Sequence, residues 1–118
     1  MKKISDKVLD DLVRKYIRLL ARGYCKRCKQ FGYIEVAHMY KRGRKTVRWD
    51  LRNVYPLCVD CHQLVDNDMI EKTSFMYELL SPKEISELQL IANMTLKTYP
   101  VDREQIKKDL KEKIKELE

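Results

Sequence analysis

The chain has 118 residues, 36% of them charged and 44% apolar, a balance that fits one soluble globular domain and not a disordered chain. No apolar run is long enough to cross a bilayer, and Asp6, Asp10 and Asp11 interrupt the apolar core that a signal peptide would need after Lys2 and Lys3, so neither a membrane nor export is expected. The formal charge is +7, and residues 22–52 carry 10 basic against 2 acidic groups, a local field that favours a polyanion such as nucleic acid.

Residues 6–22 predict an amphipathic helix. Val8, Leu9, Leu12, Val13, Tyr16, Ile17 and Leu20 recur at three- and four-residue spacing, Ser5 or Asp6 can cap the start, and Gly23 can end it. A tight knuckle follows at Cys25-Lys-Arg-Cys28, then a turn at Gly32 and a short strand from Tyr33 to Met39. Residues 41–47 predict a basic loop with Gly43 at its tip. Arg48 to Leu57 reads as extended with a brief turn started by Asp50, and Pro56 keeps it from being a central strand. The second knuckle, Cys58-Val-Asp-Cys61, runs into a short helix through His62. Residues 69–80 are ambiguous. Ser81-Pro82-Lys83-Glu84 is a strong helix start, and that helix is expected to run to about Lys97. Asp102 and Gln105 cap a last helix, whose Ile106, Leu110, Ile114 and Leu117 form one narrow stripe suited to the core or to a partner chain.

A Cys-x-x-Cys turn brings two sulfurs together with backbone amides aimed at them, and two such turns can complete a tetrahedron around Zn²⁺. Two disulfides would suit an exported protein, and a redox motif needs only one pair in a βαβ setting. Cys25, Cys28, Cys58 and Cys61 are therefore expected to hold a structural zinc with no open coordination position.

The two histidines, His38 and His62, both fall inside the frame set by the knuckles, with Asn53 between them. Ala37-His38-Met39, Arg48-Trp49-Asp50-Leu51-Arg52-Asn53-Val54 and Leu57-Cys58-x-x-Cys61-His62 together resemble an HNH (ββα-metal) endonuclease of the zinc-stabilised kind. Within that superfamily the chain is most similar to the lambdoid phage NinG-type recombination endonucleases, and its architecture also resembles phage Holliday-junction resolvases of the endonuclease VII type. The resemblance covers about residues 8–66. It implies an α+β fold: a zinc-stabilised ββα-metal, treble-clef-like core flanked by an N-terminal helix and C-terminal helices. Residues 1–68 would form the helix plus HNH module, and residues 69–118 a helical extension packing on the module or on a partner.

The resemblance makes His38 the general base, Asn53 the residue that fixes its loop, and His62 the ligand of one catalytic divalent ion, Mg²⁺ or another. Many HNH nucleases carry a second metal ligand immediately before the base, where this chain has Ala37; Glu35 and Asp66 are the candidates to replace it. Lys41, Arg42, Arg44, Lys45 and Arg48, lying between base and Asn, would meet phosphates, while Trp49 is expected in the core. The function expected is DNA endonuclease activity on recombination or other branched intermediates, encoded by a phage or prophage and acting in the bacterial cytoplasm. Pairing of two copies into a homodimer would allow both strands to be cut. The alternatives are a non-catalytic zinc-stabilised module that only binds nucleic acid, and an interaction domain that uses its last helix.

Overall fold

The computed structural model describes residues 3–118, so Lys2 and the first residue of the expected N-terminal unit lie outside the described residues. Helix α1, Asp6–Ala21, starts at Ser5, whose hydroxyl accepts from the Val8 amide. Leu9, Val13 and Ile17 are its buried stripe. It ends where Arg22 (φ 52°) and Gly23 (φ 85°) enter the left-handed region.

Strands β1 (Glu35–His38) and β2 (Val54–Leu57) form a two-stranded antiparallel sheet, with Ala37 opposite Tyr55 and His38 opposite Val54. Side chains alternate across it. Ala37, Tyr55 and Leu57 enter one core, and Val36 and Val54 face the other. Both strands are edges, which is why Pro56 is tolerated. Asp50 caps the short 3-10 turn Leu51–Asn53 that leads into β2, as its position in the sequence implies.

Helix α2, Val59–Asn67, begins at the second knuckle with Cys58 as its cap. The ambiguous stretch resolves as helix α3, Met69–Leu79, because the Asp68 side chain accepts from the amides of Ile70 and Glu71 while Phe75 and Met76 are buried. Helix α4, Pro82–Ala92, has the full reciprocal capping box between Ser81 and Glu84. It stops five residues short of the expected Lys97. Its carbonyls at Ile91 and Ala92 are taken by Thr46 Oγ1 (2.7 Å) and Arg44 Nη1 (3.0 Å), and the Asn93 side chain folds back onto Gln89 O. Thr95 then opens a separate turn closed on Thr98. Helix α5, Arg103–Leu117, is capped by Asp102 through the Gln105 amide.

The result is three layers. The sheet lies between α2–α4, which share a core of Val65, Phe75, Met76 and Leu88, and α1 with α5, which share a core of Leu9, Val13, Trp49 and Leu110. The stripe on α5 is therefore used inside the chain, with Leu110 and Ile114 buried. Among the described residues there are five α-helices, none long and apolar enough to cross a membrane.

Asp10 ties α1 to the loop before β2. Its carboxylate accepts from Arg48 Nη2 (2.6 Å), Arg42 Nη2 (2.6 Å) and Trp49 Nε1 (2.8 Å). The side chains of Asp10 and Arg48 are only 11% and 12% exposed. Burial alone would raise the Asp10 pKa, but the donors from Arg48, Trp49 and Arg42 outweigh it and hold the carboxyl well below its ordinary 3.8. Removing the carboxylate leaves the largely buried Arg48 guanidinium with only its longer contact to Asp6 (3.6 Å), so Asp10→Ala should cost about 3 kcal/mol in denaturant unfolding. A depressed folded pKa stabilises above the unfolded-state value and ceases to as pH falls toward the folded one. The stability gap between wild type and variant should therefore be full at neutral pH and narrow as pH drops below 3.8.

Candidate functional site

The two knuckles meet. The sulfurs of Cys25, Cys28, Cys58 and Cys61 all lie within 4.8 Å of one another, and none is in a disulfide. The Cys28 amide points at Cys25 Sγ (3.5 Å) and the Cys61 amide at Cys58 Sγ (3.4 Å), the N–H···S bonds expected of a metal knuckle. Sulfurs bound at about 2.3 Å in a tetrahedral zinc site sit about 3.8 Å apart. Cys28 Sγ and Cys58 Sγ are 3.9 Å apart, far beyond disulfide contact. The donor set fits zinc.

Its electrostatics fit as well. At Cys25 burial opposes ionisation, yet backbone amides aimed at the sulfur overcome it and lower the pKa. At Cys61 burial and the surrounding thiols raise it, although Arg27 donates to its sulfur at 3.5 Å. Four sulfurs packed this closely cannot all carry charge unless a cation sits between them. Arg27 also reaches Glu71 of α3 at 2.9 Å, tying that helix to the knuckle.

The second knuckle opens α2 and so fixes His62, one residue past Cys61. His62 Nδ1 lies 2.8 Å from Glu35 Oε1, and Nε2 lies 3.4 Å from Asp66 Oδ2, one turn along the helix. Both candidate carboxylates thus reach His62, but from opposite nitrogens. Among the described residues, the four cysteines are the one set of three or more such side chains whose ligand atoms converge on a point. Ala37 is fully buried beneath the sheet and has no part in the cleft.

His38 sits on the face of β1 turned toward α1. Its Nε2 is 3.0 Å from the carbonyl of Arg48. A carbonyl only accepts, so Nε2 carries the proton and Nδ1 keeps its lone pair. Burial, opposed by the Arg48 carbonyl, lowers the His38 pKa and keeps the ring neutral near pH 7. Asn53, with no exposed surface, holds the loop that supplies this carbonyl. Its Oδ1 accepts from the Tyr40 amide (2.6 Å), and its Nδ2 donates to the carbonyls of Tyr40 and Val47 (both 3.1 Å).

His38 and His62 line one cleft of about 280 Å³ along the free edge of β1, with Arg14, Arg18, Glu35 and Arg42. Arg14 and Arg18 were not singled out from sequence. Their signal was available as an i, i+4 basic pair on the polar face of α1. The basic loop is less free than its composition suggests. Arg48 is spent on Asp10, Lys45 pairs with Asp6 at 3.0 Å, and Arg44 caps α4; Arg42 pairs with Asp10 yet remains half exposed at the cleft, and Lys41 is exposed. Trp49 is in the core, as expected.

Elemental analysis should find about one zinc per chain. Chelation, or Cys58→Ser, should release it and loosen the cap of α2 together with the position of His62, read as lost protection of amides 58–67 in hydrogen exchange. A metal-free protein with unchanged protection would remove the zinc. No protein-family model, curated protein or solved structure matches the chain.

Proposed function

We propose that the protein is a zinc-stabilised, metal-dependent DNA endonuclease of the HNH kind, acting on recombination or related DNA intermediates of a phage or prophage. The observation that carries the reading is the meeting, in one cationic cleft, of a neutral histidine with a free lone pair and a second histidine flanked by carboxylates.

Hydrolysis of a phosphodiester needs a water stripped of a proton in line with the leaving oxygen. His38 Nδ1 takes that proton as the water oxygen bonds to phosphorus. The Arg48 carbonyl on Nε2 steadies the imidazolium that forms, and Asn53 keeps that carbonyl in place. Glu35 and His62 Nδ1 offer an oxygen and a nitrogen donor close together, a pair that suits Mg²⁺ or Mn²⁺ completed by phosphate and water. Such an ion, when bound, supplies positive charge to the phosphorane and the departing 3′ oxygen. Arg14, Arg18 and Arg42 lie where the flanking phosphates would run.

A second reading, a module that binds nucleic acid without cutting it, is favoured by one observation: Glu35 and Asp66 address different nitrogens of His62. A plasmid assay separates the two. Nicking of supercoiled DNA with Mg²⁺ or Mn²⁺ is expected, and His38→Ala should lower its rate at least about 100-fold while zinc content and circular dichroism stay unchanged. Because only neutral His38 can accept the proton and its pKa is lowered, the acid limb of the pH–rate profile should lie below the ordinary histidine value of 6.5. Tight DNA binding with no cleavage under any divalent ion would leave the binding module.

A further inference from the structure

The positive charge of residues 22–52 is divided by the fold. Arg42, Lys45 and Arg48 are paired with Asp6 and Asp10, and Arg44 donates to the carbonyl end of α4. Around the first knuckle the opposite holds. Arg18, Arg22, Lys26 and Lys29 make no ion pair among the described residues. Residues 22–33 contain no acidic side chain.

The same stretch exposes three aromatic rings. Tyr24 is half exposed, Phe31 73% and Tyr33 68%. A folded chain seldom leaves such a cluster to solvent without a use for it. Phe31 is not loose. It is bridged to Tyr24 as an antiparallel pair, with the rings edge to face at 5.3 Å. It also lies on Gly23, where an added Cβ would come within 2.5 Å of the ring. Tyr33 carries the Arg18 guanidinium 5.9 Å from its ring centre, and both line the cleft of His38 and His62. Rigid rings thus lead from the knuckle to the proposed active site, edged by unpaired cations.

We propose that this face binds an unpaired stretch of polynucleotide strand, its bases stacking on Phe31 and Tyr33 and its phosphates meeting Arg18, Arg22, Lys26 and Lys29. Within a duplex, base faces are already covered by their neighbours and only edges and phosphates are offered. Exposed rings among cations gain most from bases that are unstacked. The inference rests on the nucleic-acid reading above and narrows its substrate to DNA with a single-stranded segment beside the scissile phosphate.

The test is fluorescence anisotropy with zinc-loaded protein and no added magnesium, using a short oligothymidylate and a blunt duplex of the same length. Wild type should bind the single strand at least as tightly as the duplex. Phe31→Leu, which keeps an apolar side chain on Gly23, should weaken single-strand binding about tenfold and leave duplex binding and zinc content unchanged. Phe31→Trp should retain the affinity, and its new exposed indole should be quenched by oligothymidylate; the native Trp49 is buried. Equal weakening of both ligands by Phe31→Leu, no weakening, or no quenching would overturn the inference. Plasmid nicking is scored separately. A protein that nicks but ignores Phe31→Leu loses this face and keeps its chemistry, whereas one that passes the binding test but never nicks keeps the face and loses the nuclease.

Discussion

One buried amide organises the cleft. The Asn53 side chain makes three hydrogen bonds to the backbone of a loop that would otherwise bury its own polar groups unpaired. Leaving any of these groups without a partner would cost about 1–3 kcal/mol, so the loop has a strongly preferred path. That path brings the Arg48 carbonyl to His38 and turns the Arg48 side chain toward Asp10. The tautomer of His38 and the anchoring of α1 thus follow from a single residue at the foot of β2. The four-sulfur cluster plays the matching part for His62 by fixing the start of α2. The cleft lies where these two constraints meet along β1.

Charge is where fold and composition diverge. A run such as Lys41–Lys45 reads as a phosphate-binding loop when only the sequence is seen. In the fold, two acids one turn apart on α1, Asp6 and Asp10, together with a carbonyl at the end of α4, engage Arg42, Arg44, Lys45 and Arg48. This is a structural use of cations: they stitch a loop between two helices, and Arg48 in particular is a core side chain with a charged end. The field left over is displaced toward the first knuckle, where Arg27 is answered by Glu71 but Arg22, Lys26 and Lys29 make no ion pair among the described residues.

Much of the architecture could be read from local signals. The capping box at Ser81, the Asp102 cap, the apolar stripe of α1 and the Asp50 turn each act within four residues, so sequence spacing carries them. The cysteine cluster was legible for a different reason: paired Cys-x-x-Cys turns constrain each other chemically across any separation. The end of α4 was not legible, because the donors that stop it, Arg44 and Thr46, lie some 45 residues earlier in the chain. The same holds for the partners of the basic loop. Which cations meet which acids depends on how α1 lies against the loop, and no local pattern states that. Nor did sequence show that Glu35 and Asp66 would approach His62 from different sides.

That last arrangement bears on how the cleft would work. The hydrogen bond from Nδ1 to Glu35 orients the His62 ring, with Asp66 3.4 Å from Nε2 on its other side. In the proposed nuclease, Glu35 and His62 Nδ1 would hold the ion, which would supply positive charge to the phosphate, and Asp66 would orient the ring through the other nitrogen. Histidine ligands are commonly oriented in this way by a carboxylate on the far nitrogen. The two carboxylates on opposite nitrogens, which count against a three-ligand cage, are thus compatible with one ligand and one orienting group. A site with few protein ligands binds its ion weakly until a phosphate completes the shell. Activity would then depend on substrate as much as on the metal, and the unpaired cations beside the cleft would matter to catalysis by bringing that phosphate in.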